Sequence, residues 1–131
     1  MIALDTNVIV RYLTQGHPAQ SRKATQIIEH RLTAERPGFI GVVTMVETVW
    51  VLGRAYGLTA QDIAAAIERM LQTDVLLIER EQEVFTAMVA LKEGRGSFAD
   101  ALIAALGIQA GCKHTLTFDQ KALRLSGFEL V

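Results

Sequence analysis

The amino-acid sequence predicts an α/β protein, a three-layer α/β/α sandwich with a central parallel sheet. Short apolar or β-branched runs, Ile2 to Leu4, Phe39 to Val43, Val75 to Ile78 and His114 to Phe118, alternate with longer segments whose apolar residues recur at helical spacing. Two of the runs are apolar over most of their length, as strands covered on both faces are, and short crossovers between parallel strands are helical. The chain has 131 residues, the size of a single domain over 1–131, with 50% hydrophobic and 21% charged residues. That balance excludes intrinsic disorder and predicts a substantial core.

The elements follow in order. Ile2 to Leu4 is a strand that stops at Asp5-Thr6-Asn7, whose side chains hydrogen-bond nearby backbone and favour turns and helix caps. Val8 to Thr14 reads as a short helix broken by Gly16-His17-Pro18, with Pro18 suited to the first position of the next helix. That second helix carries Ala24, Ile27, Ile28 and Leu32 on one face. Phe39 to Val43 is a buried strand, followed from about Thr44 by a helix with Val46, Val49, Trp50 and Gly53 in phase. Ile63, Ile67, Met70 and Leu71 mark a further helix, Val75 to Ile78 a strand, and Glu81 to Lys92 a helix with Val84, Phe85, Met88 and Leu91 inward. A helix from Ser97 to about Ala110 closes at Gly111. His114 to Phe118 is a strand, Asp119 starts a short helix, and Phe128 to Val131 adds an edge strand.

Thirteen Lys and Arg against fourteen Asp and Glu give a formal net charge of −1, so the bulk basic footprint of a nucleic-acid binder is missing and an anionic partner must be held locally. One cysteine, Cys112, closes no intramolecular disulfide, and no signal-like stretch opens the chain, which makes the cytoplasm the expected compartment. The most apolar stretch, Gly38 to Gly53, is interrupted by Glu47 and falls short of the about 20 residues a membrane helix needs, so no membrane span is expected. The apolar surplus points to a surface covered by a partner.

Four acids stand at or near helix starts in apolar surroundings: Asp5, Glu47, Asp100 and Asp119. Each has an ordinary structural use. Thr44 to Glu47, Ser97 to Asp100 and Thr59 to Asp62 all fit the spacing in which a hydroxyl caps a helix and an acid three residues on returns the bond. An acid in the first turn also complements the helix dipole. Capping leaves unexplained why four acids should gather at one sheet edge. At about 4 Å each like-charged pair costs about 4 kcal/mol at an effective dielectric of about 20, so such a group takes up protons or recruits a cation. Oxygen ligands without a Cys or His cluster favour Mg²⁺ or Mn²⁺ over zinc, and Mg²⁺ leaves positions for water and substrate phosphate. Metal-assisted phosphodiester hydrolysis fits that chemistry.

These residues also carry a family likeness. MIALDTNVIV at the start, TMVETVWVL around Glu47, GSFADALIAAL around Asp100 and TLTFDQKA around Asp119, in that order over nearly the whole chain, resemble the PIN domain. At this length the chain resembles its single-domain form, the VapC toxins of bacterial type II toxin-antitoxin pairs. The resemblance implies a Rossmann-like parallel sheet, a Mg²⁺- or Mn²⁺-dependent ribonuclease and a cognate antitoxin that blocks the site, and it suggests a homodimer using the Val49 to Leu52 helix. Position by position, Asp5, Glu47, Asp100 and Asp119 match the family's acidic metal-site positions, Asn7 its Asp-x-Asn opening and Thr117 its hydroxyl before the last acid. Asn7 and Thr117 are then expected to orient carboxylates or water. Ser97 departs from relatives that carry a further Asp there, which weakens a second metal site.

On that reading Asp5 and Asp100 chiefly hold the cation, Glu47 and Asp119 hold a second ion or orient the attacking water, and the products carry a 5′-phosphate and a 3′-hydroxyl. His17, His30 and His114 are expected to pack or solvate and not to catalyse, Cys112 to be an inert buried thiol, and Trp50 to pack in the core or an interface. Arg11, Arg22, Lys23, Arg95, Lys113, Lys121 and Arg124 flank the proposed edge and are either phosphate contacts or solvated charges. Two alternatives stand beside this reading. A haloacid-dehalogenase-like phosphatase would use Asp5 as nucleophile but wants an acid where Asn7 stands. A non-catalytic module of the same fold would bind RNA or protein without cutting it.

Overall fold

The computed structural model describes residues 1–131. Strand β1 (Ile2–Ala3) leads into helix α1 (Thr6–Thr14), which α2 (Pro18–Gln26) follows after a break. Pro18 starts α2, and the His17 Nδ1 accepts the Gln20 backbone N–H at 3.2 Å, so this histidine is a helix cap. α2 runs on into a π-helical turn, Ile27–Arg31, in which the Leu32 N–H reaches back to the Ile27 carbonyl. The expected inner face survives this widening, with Ala24, Ile28 and Leu32 buried and Ile27 half-buried.

Strand β2 (Gly38–Ile40) pairs in parallel with β1 on one side and with β3 (Leu76–Ile78) on the other, Ala3 opposite Phe39 and Ile40 opposite Ile78. Gly38 is closely packed there. A Cβ would stand 2.8 Å from Leu32 Cδ1 and 2.9 Å from Leu4 Cδ1, inside van der Waals contact. Helices α3 (Val42–Arg54) and α4 (Ala60–Leu71) connect β2 to β3, and α5 (Glu81–Lys92) and α6 (Phe98–Gln109) connect β3 to β4 (Thr115–Thr117). After a 3-10 turn at Gln120–Arg124, β5 (Phe128–Leu130) pairs in parallel with β4. The backbone ladders therefore fall into a three-stranded sheet, β1-β2-β3, and a two-stranded one, β4-β5, where the sequence predicts one continuous sheet. The class is the predicted one, a three-layer α/β/α fold with parallel strands and helical crossovers.

A single cluster of twenty buried residues, running from Leu4 and Ile9 through Ile40, Met45, Ile67, Val84 and Phe98 to Leu125, joins the sheet to the helices. Several expectations about its edges are corrected. Val42 and Val43 belong to α3 and not to a strand, and Val43 is 82% exposed: α3 begins at Gly41, whose φ of −75° and ψ of 163° turn the chain out of β2 two residues early. Phe85 points outward because Val84, Ala87 and Met88 already fill the inner face of α5. Trp50 is 63% exposed and so is no core residue, while Leu52, two positions on, is buried. Cys112 is exposed, because it follows the left-handed Gly111 that ends α6 and lies in the link to β4. No helix is long and apolar enough to cross a membrane.

Candidate active site

Asp5 follows β1 directly. Leu4 still donates to the Phe39 carbonyl at 2.9 Å, after which Asp5 leaves the ladder and becomes the N-cap of α1, its Oδ1 accepting the Thr6 N–H at 2.8 Å. Thr6 is buried, and its hydroxyl donates to Glu47 Oε1 on α3. One threonine thus contacts both acids, by backbone to Asp5 and by side chain to Glu47. The two carboxylates line one cleft of about 350 Å³ with Asn7, Arg11 and Tyr56.

The early start of α3 removes the structural use the sequence offered for Glu47. Thr44 caps nothing, because the helix begins at Val42 and its N-cap is Gly41. No acid lies in its first turn, and Glu47 stands on the second. The cap comes from elsewhere: Glu79, one residue past β3, accepts the Val42 N–H on Oε1 at 2.9 Å. Glu79 therefore fixes the helix that carries Glu47.

Asp100 and Asp119 meet in a second cleft of about 380 Å³, lined also by Arg95, Ser97, Lys121 and Arg124. Ser97 is the N-cap of α6 as predicted, its Oγ accepting the Asp100 N–H at 3.1 Å. The return bond of a capping box is absent, so the Asp100 carboxylate is left uncommitted. Thr59 and Asp62 show the same one-way cap at α4. Asp119 sits two residues past β4; its N–H donates to the Thr117 hydroxyl at 3.0 Å and its Oδ1 accepts the Lys121 N–H at 2.9 Å. Thr117 thus holds the backbone of Asp119. Gly96 lets the loop before α6 close on the 3-10 turn, since a Cβ there would lie 2.7 Å from Leu125 Cδ1.

The four acids are therefore brought together as two pairs, Asp5 with Glu47 and Asp100 with Asp119. Glu47 also lines an apolar groove between α3 and α6 that includes Ala99, the residue before Asp100. No three Asp, Glu, His or Cys side chains converge closely enough to enclose one ion. None of the four acids forms an ion pair, the pairs present being Arg80 with Glu83, Arg95 with Glu93 and His114 with Glu129. Asp5, Glu47 and Asp119 each use one carboxylate oxygen in a protein hydrogen bond and keep the other. Solvent-accessible carboxylate pairs with spare oxygens, lined by basic side chains but ion-paired to none, suit a hard divalent cation of the Mg²⁺ type, which binds through one or two carboxylates and completes its shell with water and substrate oxygens. They do not suit a dedicated all-protein cage.

Other sequence candidates take structural roles. His114 pairs with Glu129 across β4 and β5 at 3.2 Å, and His30 is exposed on the π turn. Arg22 and Lys113 are exposed charges, whereas Arg11 and Lys23 line clefts beside Asp5 and Arg95, Lys121 and Arg124 line the Asp100 cleft. Thr6 and Glu79 are the residues that sequence reasoning missed. The place of Thr6 between Asp5 and Asn7 was a signal; nothing local marked Glu79, whose partner lies 37 positions away.

The sequence profile of the PIN domain matches residues 2–127. The chain belongs to the PIN-domain family. PIN domains are usually nucleases and generally use divalent metal ions, so the substrate class is nucleic acid and the chemistry hydrolytic. This match disfavours the aspartyl-phosphate alternative, as does Asn7 at the position where that chemistry wants an acid. Comparison with curated protein sequences gives no match.

Proposed function

We propose that this PIN domain is a Mg²⁺- or Mn²⁺-dependent endoribonuclease and the toxin of a type II toxin-antitoxin pair, similar to VapC. The observation that carries the catalytic part is the set of four carboxylates, paired in two clefts, with spare oxygens and no ion-pair partner. Asp5 and Asp100 chiefly would hold the cation. When bound, it supplies Lewis-acid polarisation of the scissile phosphate and a more acidic water. Glu47 and Asp119 would orient that water for in-line attack or hold a second ion, Asn7 would orient carboxylate or water from its place on the Asp5 cleft, and Thr117 sets Asp119. Hydrolysis in this sense leaves a 5′-phosphate and a 3′-hydroxyl.

The toxin role, the antitoxin and the homodimer rest on the family resemblance. What supports a protein partner is the groove of about 510 Å³ between α3 and α6, lined by eight apolar residues and Glu47. Of the Val49 to Leu52 segment, Trp50 alone is exposed, and it is the residue that would enter a dimer contact. Sedimentation showing only monomer at high concentration removes the dimer.

Cleavage of total RNA by the wild-type protein beside Asp5→Ala, with Mg²⁺, with Mn²⁺ and in excess EDTA, tests the catalytic reading. The expected result is cleavage that needs both the divalent ion and Asp5. Equal cleavage in EDTA, or by Asp5→Ala, overturns it.

A further inference from the structure

Next to the Asp5 cleft lies a second, smaller one of about 200 Å³ between α1 and α2, with Val8, Ala24 and Ile27 among its walls and Arg11, Gln20 and Lys23 on its polar side. Asn7 and Arg11 line both clefts. The shared wall carries the Arg11 charge itself, with Asp5 and Glu47 in the cleft on one side and Lys23 in the cleft on the other. The Arg11 guanidinium is held in place without being neutralised: Nε donates to Gln20 Oε1 and Nη1 to the Tyr56 hydroxyl, both at 2.8 Å, and no ion pair involves Arg11. Two neutral acceptors from different helices and loops fix the fork while its remaining N–H groups stay free. A fixed, uncompensated guanidinium is suited to a phosphodiester oxygen, and its being ordered in advance lowers the entropic cost of the contact.

We propose that Arg11, assisted by Lys23, binds a backbone phosphate of single-stranded RNA next to the scissile one, in the cleft between α1 and α2. The proposal rests on the reading of the Asp5 cleft as the place of cleavage. It explains how a chain of net charge −1 holds a polyanion beside four carboxylates: the cationic contact is local and lies on one flank of the acids.

The test measures binding of fluorescein-labelled oligouridylate 12-mer by anisotropy in EDTA, which stops metal-dependent cleavage, across a salt series, with cleavage of the same RNA in Mg²⁺ read separately. Arg11→Met is expected to weaken binding about tenfold, the loss of one charge-assisted contact, and to flatten the slope of log K against log salt by about 0.7. In cleavage it raises KM and leaves kcat within about twofold, because the contact exists before and during the reaction. Arg11→Lys recovers the salt slope but not the full affinity. Tyr56→Phe, which keeps the charge and loosens its anchor, weakens binding about threefold. Arg36→Met, in the loop before Pro37 at the opposite end of β1, changes nothing. Wild-type affinity and slope in an Arg11→Met protein with an unchanged melting temperature overturn the proposal and leave the nuclease reading standing. Arg11-dependent binding with no cleavage by the wild type supports the phosphate contact and overturns the nuclease reading.

Discussion

Asp5 and Glu47 are joined through Thr6 by a hydrogen bond spanning 41 positions of sequence, whereas every bond that fixes Asp100 and Asp119 in their cleft is made within three residues. The first pair exists only when β1 and α3 are docked, so it reports the state of the whole fold. The second is assembled from local motifs, a serine cap and a threonine-bonded turn, and needs the fold only to bring the two motifs face to face. A difference of this kind predicts different ways of failing.

The largest expected effect comes from removing charge while keeping shape. Asp5→Asn retains a good helix N-cap and is expected to keep the wild-type melting temperature while lowering kcat about a thousandfold, the scale of several kcal/mol of lost transition-state charge stabilisation. Asp100→Asn is expected to do the same. A loss in only one of the two pairs, measured by single-turnover RNA cleavage, would show that a single cleft does the chemistry.

Thr6→Val separates the pairs further. It removes the donor to Glu47 with little change of volume, and cleavage is expected to fall about 10- to 100-fold, the usual cost of losing a group that orients a ligand. Because the bond is to a charged group and is partly buried, thermal unfolding should drop by about 1.5 kcal/mol, roughly 6 °C for a domain of this size. Thr117→Val, which loses only a turn bond to the Asp119 N–H, is expected to cost about a third of that. Thr6→Ser restores the donor and most of the activity. Equal effects at the two threonines would erase the distinction between long-range and local bracing.

Gly96→Ala attacks the second cleft where the fold does enter, at the 2.7 Å approach to Leu125. Overpacking of this kind costs about 1–3 kcal/mol, and cleavage should fall less than fivefold if Asp100 and Asp119 keep their local braces. Chemical denaturation and the cleavage assay on the same sample check the two parts.

The sequence showed what is local and hid what is not. Strand and helix order, the Pro18 start, the Ser97 cap and the Asp119 turn were legible because each is written in a few consecutive residues. The start of α3 is hidden in the sequence because Val42 and Val43 have the β-branched composition of a strand, while the Glu79 carboxylate that accepts the Val42 N–H is brought by β3 from 37 positions away. The outward turn of Phe85 and the exposure of Trp50 were hidden for a related reason: spacing tells which residues share a face but not which of two apolar faces the fold covers. The four acids were legible as candidates, and their division into two pairs was not, since pairing depends on how α1 meets α3 and how α6 meets the 3-10 turn.

The smallest effect is expected at Thr48, beside Glu47 on α3. Like Thr6 it is buried, at 1% exposure, but its hydroxyl has no hydrogen-bond partner. A buried hydroxyl without a partner has lost its water and gained nothing, so exchanging it for a methyl removes a desolvation cost. Thr48→Val is therefore expected to raise the melting temperature by about 4 °C, about 1 kcal/mol for a domain of this size, and to leave RNA cleavage unchanged. The same substitution at Thr6 lowers both. Opposite signs for one chemical change at two buried threonines would trace the effect to the Glu47 bond and away from side-chain volume, which changes equally in the two cases. A Thr48→Val protein that melts lower than wild type would mean that the hydroxyl finds a partner in solution and that the contrast with Thr6 is one of degree.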